Sequence, residues 1–243
     1  MSDKQEKFHL TKFVKVIGHE LKHPITALKA YLYLIKSQTN KLQQRHEDED
    51  LSQIYDNLEK ADRQLETLTS MLNELADLSK ISIDQLQIDL TEHELTQLVA
   101  GVVAEFQALY PHRQIGFKTC EPVQVQLDEV RFRQALINLI TNAIKHTPYD
   151  TEVTIKVEAD HEIVSVSVKD NGPGIAPTDL EKIFEPYYQV EDHEKRKEGL
   201  GLGLFIAQTI VSKHKGKLAA VSQVGEGTEF TVTLKKFLAD PKQ

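Results

Sequence analysis

The stretch Asn138-Leu139-Ile140-Thr141-Asn142-Ala143-Ile144-Lys145-His146-Thr147-Pro148 reads as the end of an amphipathic helix. Asn138, Asn142 and the Lys145–His146 pair recur at spacings of three to four, so one face carries them while Leu139, Ala143 and Ile144 turn inward. Upstream, Asp128 has the chemistry of an N-cap, and Phe132, Leu136 and Ile140 extend the apolar face, which predicts a helix from Asp128 to about His146. Two alternating runs follow, 153–158 and 163–169, with the period of strands half-covered by helices. Further helices are predicted at 95–110 and from Gly203 to about His214. Short strands are predicted at 114–119 and 123–127, and a terminal strand pair at 217–222 and 228–235. Residues 86–243 are therefore expected to form an α/β sandwich, a mixed sheet covered by helices.

Before residue 85 the character is different. The only Gly and Pro there are Gly18 and Pro24, and strand signals are nearly absent. Phe13, Ile17, Leu21, Leu28, Leu32 and Ile35 recur at helical spacing, as do Leu51, Ile54, Leu58, Ala61, Leu65, Leu68, Leu72 and Leu75. The polar stretch between them, 37–50, reads as the turn and the adjoining helix ends. Residues 1–85 are thus expected to be a long helical hairpin. Two helices cannot enclose both stripes, so two chains are expected to pair into a homodimeric four-helix bundle.

Composition narrows the function. The chain has 243 residues, 40% hydrophobic and 27% charged, which is the balance of a globular protein. A net charge of −8 with scattered basic residues argues against nucleic acid as a partner. One cysteine, Cys120, excludes an internal disulfide and fits a reducing compartment. No apolar run approaches the roughly 20 residues that span a bilayer. A cytoplasmic location without a membrane segment is the expectation.

Several motifs carry chemistry. His19-Glu20-Leu21-Lys22-His23 fits H-E-x-x-H, in which two histidines on one helical face could grip zinc. Pro24 follows at once and removes the hydrogen bond to the Glu20 carbonyl, and no third ligand lies nearby in the sequence. The same segment can instead supply a nucleophile. A neutral imidazole, abundant near pH 7, is nucleophilic, and an adjacent carboxylate would hold the proton of its far nitrogen. Further on, Asp170-Asn171-Gly172-Pro173-Gly174-Ile175 follows a strand. Ile183-Phe184-Glu185-Pro186-Tyr187-Tyr188 leads into a charged run, 189–198, that reads as a mobile lid. Gly199-Leu200-Gly201-Leu202-Gly203-Leu204 opens a helix, whose N-terminal amides suit phosphate oxygens, and Gly225-Glu226-Gly227-Thr228-Glu229-Phe230 closes the series.

In this order and spacing the set resembles the sensor histidine kinases, from about residue 10 to 236. Residues 17–25 are similar to their phosphoacceptor box, and the later boxes to the ATPase superfamily that these kinases share with gyrase-type and MutL-type clamps. The resemblance implies His19 as the phosphorylated residue with Glu20 as its base. It implies a site for ATP and Mg²⁺ built from Asn138, Asn142, Lys145, His146, Asp170, Gly172, Gly174, Gly199, Gly201, Leu202, Gly203, Leu204 and Thr228. Within it Asn142 is the metal ligand, Lys145 neutralises phosphate charge, Asp170 accepts from the adenine amino group, and Thr228 reaches toward the adenine edge. It further implies transfer to an aspartate on the receiver domain of a response regulator. Two departures stand out: His23 occupies a position usually Thr or Asn, which bears on phosphatase activity, and Leu200 one that is often Thr. The rival readings are a degenerate, nucleotide-holding dimeric scaffold, an ATPase clamp and, last, a zinc protease.

Overall fold

The computed structural model describes residues 24–35, 37, 48–82, 86–190 and 200–236. They fall into two compact units, 24–79 with Leu200, and 80–190 with 201–236. His19, Glu20, His23, Gly199 and most of the charged run 189–198 lie outside the described residues.

The first unit is helical. Helix α1 covers residues 24–35 and α2 runs Asp48–Ser82. Leu58, Leu65 and Leu72 belong to the apolar series that predicts α2, yet they are 45%, 49% and 58% exposed, whereas Ile54, Ala61, Met71 and Leu78 are buried. The exposed leucines and the buried pairs Ile54–Ala61 and Met71–Leu78 both keep a seven-residue spacing, so the apolar residues of α2 form separate rows and not one buried stripe. On α1, Ile25 and Leu32 are also seven apart and exposed.

The second unit is a two-layer α/β structure. Its elements are β1 Thr91–Glu94, α3 Leu95–Leu109, β2 Ile115–Lys118, β3 Gln124–Leu127, α4 Glu129–His146, β4 Val153–Ala159, β5 Ile163–Lys169, the short α5 Pro177–Leu180, a 3₁₀ turn Lys182–Phe184, α6 Gly203–Lys213, β6 Lys217–Gln223 and β7 Gly227–Lys235. The main sheet has the order β2-β4-β5-β7-β6. It is mixed: β2 runs parallel to β4 and every other pair is antiparallel. The alternation in β4, β5 and β7 buries Val153, Ile155, Val157, Val164, Val166, Val168, Phe230, Val232 and Leu234 on one face. Helices α3, α4 and α6 cover the sheet from one side, and α4 brings Phe132, Leu136, Leu139, Ile140 and Ala143. Ile144, expected inward, is only half-buried. The strand β1 was not expected, and it pairs with β3 in a separate two-stranded sheet.

Caps fix the ends of the helices that frame the site. Asp128 accepts from Arg131 N at 3.0 Å and from Asp89 N at 3.1 Å, as its N-cap chemistry predicts. Its own N–H donates to His214 Nε2 at 2.9 Å, which assigns the His214 proton to Nδ1, donating to the Ile210 carbonyl at 2.8 Å. One buried imidazole so joins the end of α6 to the start of α4. At the other end of α4, buried Arg113 donates to the Thr147 carbonyl at 3.0 Å.

Candidate active site

The end of β5 delivers Asp170 into a polar corner between the loop 170–175 and the turn joining β6 to β7. The residue is 4% exposed. Oδ1 accepts two backbone hydrogen bonds, from Gly172 N at 2.8 Å and from Thr228 N at 3.2 Å. Oδ2 has no partner among the described residues and is not sealed from solvent. Burial raises the Asp170 pKa above the ordinary carboxylate value, and the two N–H donors offset only part of that rise. The result is a fixed carboxyl group with one oxygen held by amides of its own loop and of β7 and the other open as an acceptor.

The loop and the turn are interlocked backbone to backbone. Gly227 has φ +101°, and a Cβ there would stand 2.0 Å from the Asp170 carbonyl; at Gly174, φ +70°, a Cβ would stand 2.1 Å from the Gln223 carbonyl. Gly174, expected to border the nucleotide, and Gly227, from the last glycine box, each first make room for backbone of this chain. Gly225 N bonds the Pro173 carbonyl at 2.8 Å and Asp170 N bonds the Thr228 carbonyl at 2.8 Å. We expect Gly227→Ala to cost about 3 kcal/mol of stability, combining left-handed strain with a backbone clash; chemical denaturation would measure it, and a loss below 1 kcal/mol would contradict the interlock.

Sequence reasoning missed Ser222. Its Oγ donates to the Gly227 carbonyl at 2.8 Å and accepts from Ile175 N at 2.8 Å. With its single proton so used, Ser222 Oγ must accept from the Thr228 hydroxyl, 2.8 Å away. Thr228 thereby keeps its lone pairs for another donor. No local signal could have found Ser222, since it is an ordinary residue of an alternating strand.

The opposite side of the site comes from α4 and α6. Asn138 and Asn142 are half-buried, one turn apart, while Lys145 and His146 are exposed at the helix end. Asn138 Nδ2 donates to the Gly203 carbonyl at 3.0 Å, so it holds the start of α6. The Asn142 side chain has no hydrogen-bond partner among the described residues. Its amide oxygen is a hard, neutral donor of the kind that suits a partly hydrated Mg²⁺. Helix α6 opens at Gly203 with no side-chain cap, leaving its first amides to other acceptors. Leu202 is fully buried, so it can offer a ligand only its backbone; Leu204 is half-buried. Phe184 stands edge-on to Phe230, with centroids 6.4 Å apart, and the Tyr188 hydroxyl donates to Asp179 at 2.8 Å. Burial pushes the Tyr187 phenol up to about 12. Among the described residues no cluster of His, Cys, Asp or Glu could hold a metal ion.

Residues 127–237 match the family described as "Histidine kinase-, DNA gyrase B-, and HSP90-like ATPase", and residues 9–82 match the "His Kinase A (phospho-acceptor) domain". The chain is similar to the sensor histidine kinase WalK of Bacillus subtilis, 31% identical over 92% of this chain and 36% of that one. To the sensor histidine kinase CusS of Escherichia coli K12 it is 32% identical, over 92% of this chain and 45% of that one. It thus spans less than half the length of these relatives. Among solved structures, the catalytic domain of histidine kinase ThkA is 32% identical with a TM-score of 0.54, covering 61% of this chain and 98% of that one. ThkA in complex with response regulator protein TrrA is 26% identical with a TM-score of 0.65, covering 97% of this chain and 64% of that one. No helix among the described residues is long and apolar enough to cross a membrane. With an ATPase-type α/β unit following a phosphoacceptor-type helical unit, this chain belongs to the sensor histidine kinase family and carries its catalytic core.

Proposed function

We propose that the chain transfers the γ-phosphoryl group of ATP to its own His19 and then to an aspartate on the receiver domain of a response regulator. The observation that carries the reading is Asp170, whose Oδ1 is held by two amides while Oδ2 stays open in a desolvated corner, an acceptor suited to the adenine amino group. Thr228, with lone pairs left over, faces the same base edge directly or through water. On the phosphate side, the uncapped start of α6 at Gly203, with Gly199 and Gly201 before it, offers amides to phosphate oxygens. Lys145 and His146 lie at the end of α4, where cationic groups meet phosphate charge. Asn142 would hold the Mg²⁺, which supplies charge neutralisation to the polyphosphate when bound.

Residues 1–85 then serve as the phosphoacceptor and dimerisation unit and 86–243 as the ATP-binding unit. Glu20 holds the proton on one imidazole nitrogen of His19 while the other attacks phosphorus. A nitrogen–phosphorus bond forms, the bond to the bridging oxygen breaks, and ADP leaves with the electron pair. The barrier falls mainly through alignment and charge compensation. Because the donor is a cytoplasmic metabolite, the same reading places the chain in the cytoplasm.

The exposed heptad Leu58, Leu65 and Leu72 provides a seam for a second copy. Placing Asp at position 65 on both chains removes two leucine burials and inserts two charges. We expect Leu65→Asp to weaken the dimer at least about 100-fold, seen as a monomer by analytical ultracentrifugation at micromolar concentration. An unchanged dimer would rule out this seam.

The central test is incubation with γ-³²P-ATP and Mg²⁺. Label that resists alkali and is lost in acid marks phosphohistidine and supports the kinase. Tight ATP binding without any label would leave the nucleotide-holding scaffold instead.

A further inference from the structure

The backbone at the mouth of the glycine-rich segment contains two left-handed residues facing each other. Tyr187 has φ +65° and Gly201 has φ +67°, and Tyr187 N donates to the Gly201 carbonyl at 3.0 Å. Gly201 suits this conformation, and a Cβ there would stand 2.8 Å from the Tyr188 carbonyl. Tyr187 does not suit it: a non-glycine residue at positive φ is strained and persists only where its surroundings demand it. Such strain collects where geometry serves binding or catalysis.

The surroundings supply that demand. On one side the chain around Tyr187 is pinned, before it by Glu185 N on the Lys182 carbonyl at 2.8 Å and after it by the Tyr188 hydroxyl on Asp179. On the other side, two residues past Gly201, the Gly203 carbonyl accepts from Asn138 Nδ2 at 3.0 Å. The short run Gly201-Leu202-Gly203 is therefore held at both ends, by a backbone amide from the segment before it and by a side-chain amide from α4. Without the Tyr187 bond, Gly201 would be free to swing, since glycine has little conformational preference of its own.

We propose that Tyr187 is a positioning residue for the phosphates of the nucleotide, acting through its left-handed backbone and its N–H on Gly201 rather than through its ring. The inference rests on the nucleotide-site reading and assigns within it a residue that never touches the ligand. It separates two properties of one position. Asn tolerates left-handed backbone better than other non-glycine residues, whereas Val, branched at Cβ, tolerates it poorly. Both substitutions remove the ring, and both keep the N–H.

The test compares binding of ADP and adenosine to the wild type, Tyr187→Asn and Tyr187→Val by calorimetry or ligand-observed NMR. Adenosine reaches the Asp170 side of the site but carries no phosphate, so it reports an intact fold and base pocket. Tyr187→Asn is expected to bind both ligands like the wild type. Tyr187→Val is expected to lose ADP affinity about tenfold while keeping adenosine. Should Tyr187→Val lose both ligands through unfolding, Tyr187→Ala, which is less strained, carries the same comparison. Equal loss of ADP in the Asn and Val variants would assign the effect to the ring and overturn the proposal, as would full ADP binding by Tyr187→Val. A wild type that binds neither ligand would instead overturn the nucleotide-site reading itself.

Discussion

His19→Gln is expected to abolish phosphoryl labelling of the chain, lowering it more than about 1000-fold, because no other group replaces a lost nucleophile. Glutamine keeps the approximate size and hydrogen-bonding capacity of the side chain but has no nitrogen lone pair for phosphorus. ATP binding should be unaffected, since every group assigned to the nucleotide lies beyond residue 130. The informative companion is His23→Gln. In a zinc grip of the H-E-x-x-H kind both histidines are ligands, and either substitution would be equally damaging. In the kinase only His19 takes the phosphoryl group, so His23→Gln should retain most of the label. Label surviving in His19→Gln would move the acceptor elsewhere; label lost equally from both would make His23 essential to the transfer as well.

Asp170→Asn should give a more stable protein that no longer binds ATP. The amide oxygen can still accept from Gly172 and Thr228, so the loop should keep its shape. The open position, however, becomes an NH₂ group that meets the adenine amino group donor to donor. Losing a charge-assisted hydrogen bond and leaving a donor unpaired should weaken ATP at least about 100-fold. The stability change follows from the sign of the shift. Burial raises the folded-state pKa of Asp170, so the folded chain holds this proton more tightly than the unfolded chain. Below the ordinary carboxylate range both states are protonated and Asp170 contributes nothing. As pH rises through that range the unfolded chain ionises first, and stability is lost to it; the loss persists at neutral pH. Asn cannot ionise. The variant's melting temperature should therefore exceed that of the wild type at pH 7 and match it near pH 3. A variant less stable at pH 7, or one that still binds ATP tightly, would contradict the role assigned to the carboxylate.

The features legible in the sequence are those whose chemistry is local. Asp128 caps α4 because a short acidic side chain before an apolar helical run has one good use, and the positions of Asn138 and Asn142 on that helix follow from its period. The placement of Asp170 at the end of β5 was readable from alternation followed by a glycine turn. Features created by distant segments were not legible. Thr91–Glu94 has no apolar alternation and becomes a strand only because β3 lies beside it. Ser222 gains its three hydrogen bonds from two other segments, and Tyr187 its positive φ from a bond to Gly201. On α2, periodicity located the leucines but could not say which of them a second chain would cover. The roles of Gly174 and Gly227 were anticipated as glycine roles, though the backbone that approaches each of them belongs to this chain and not to a ligand.

The strand order β2-β4-β5-β7-β6 places the last strand in sequence inside the sheet, between β5 and β6. Protein synthesis therefore makes an interior strand after both of its neighbours. Until β7 emerges from the ribosome, β5 and β6 have no bond to each other, and Asp170 lacks both Thr228 contacts. A nascent chain that already displays His19 and the α4 asparagines would still have no finished base pocket. A base pocket able to take a ligand would arrive in one step, once β7 has paired with both neighbours.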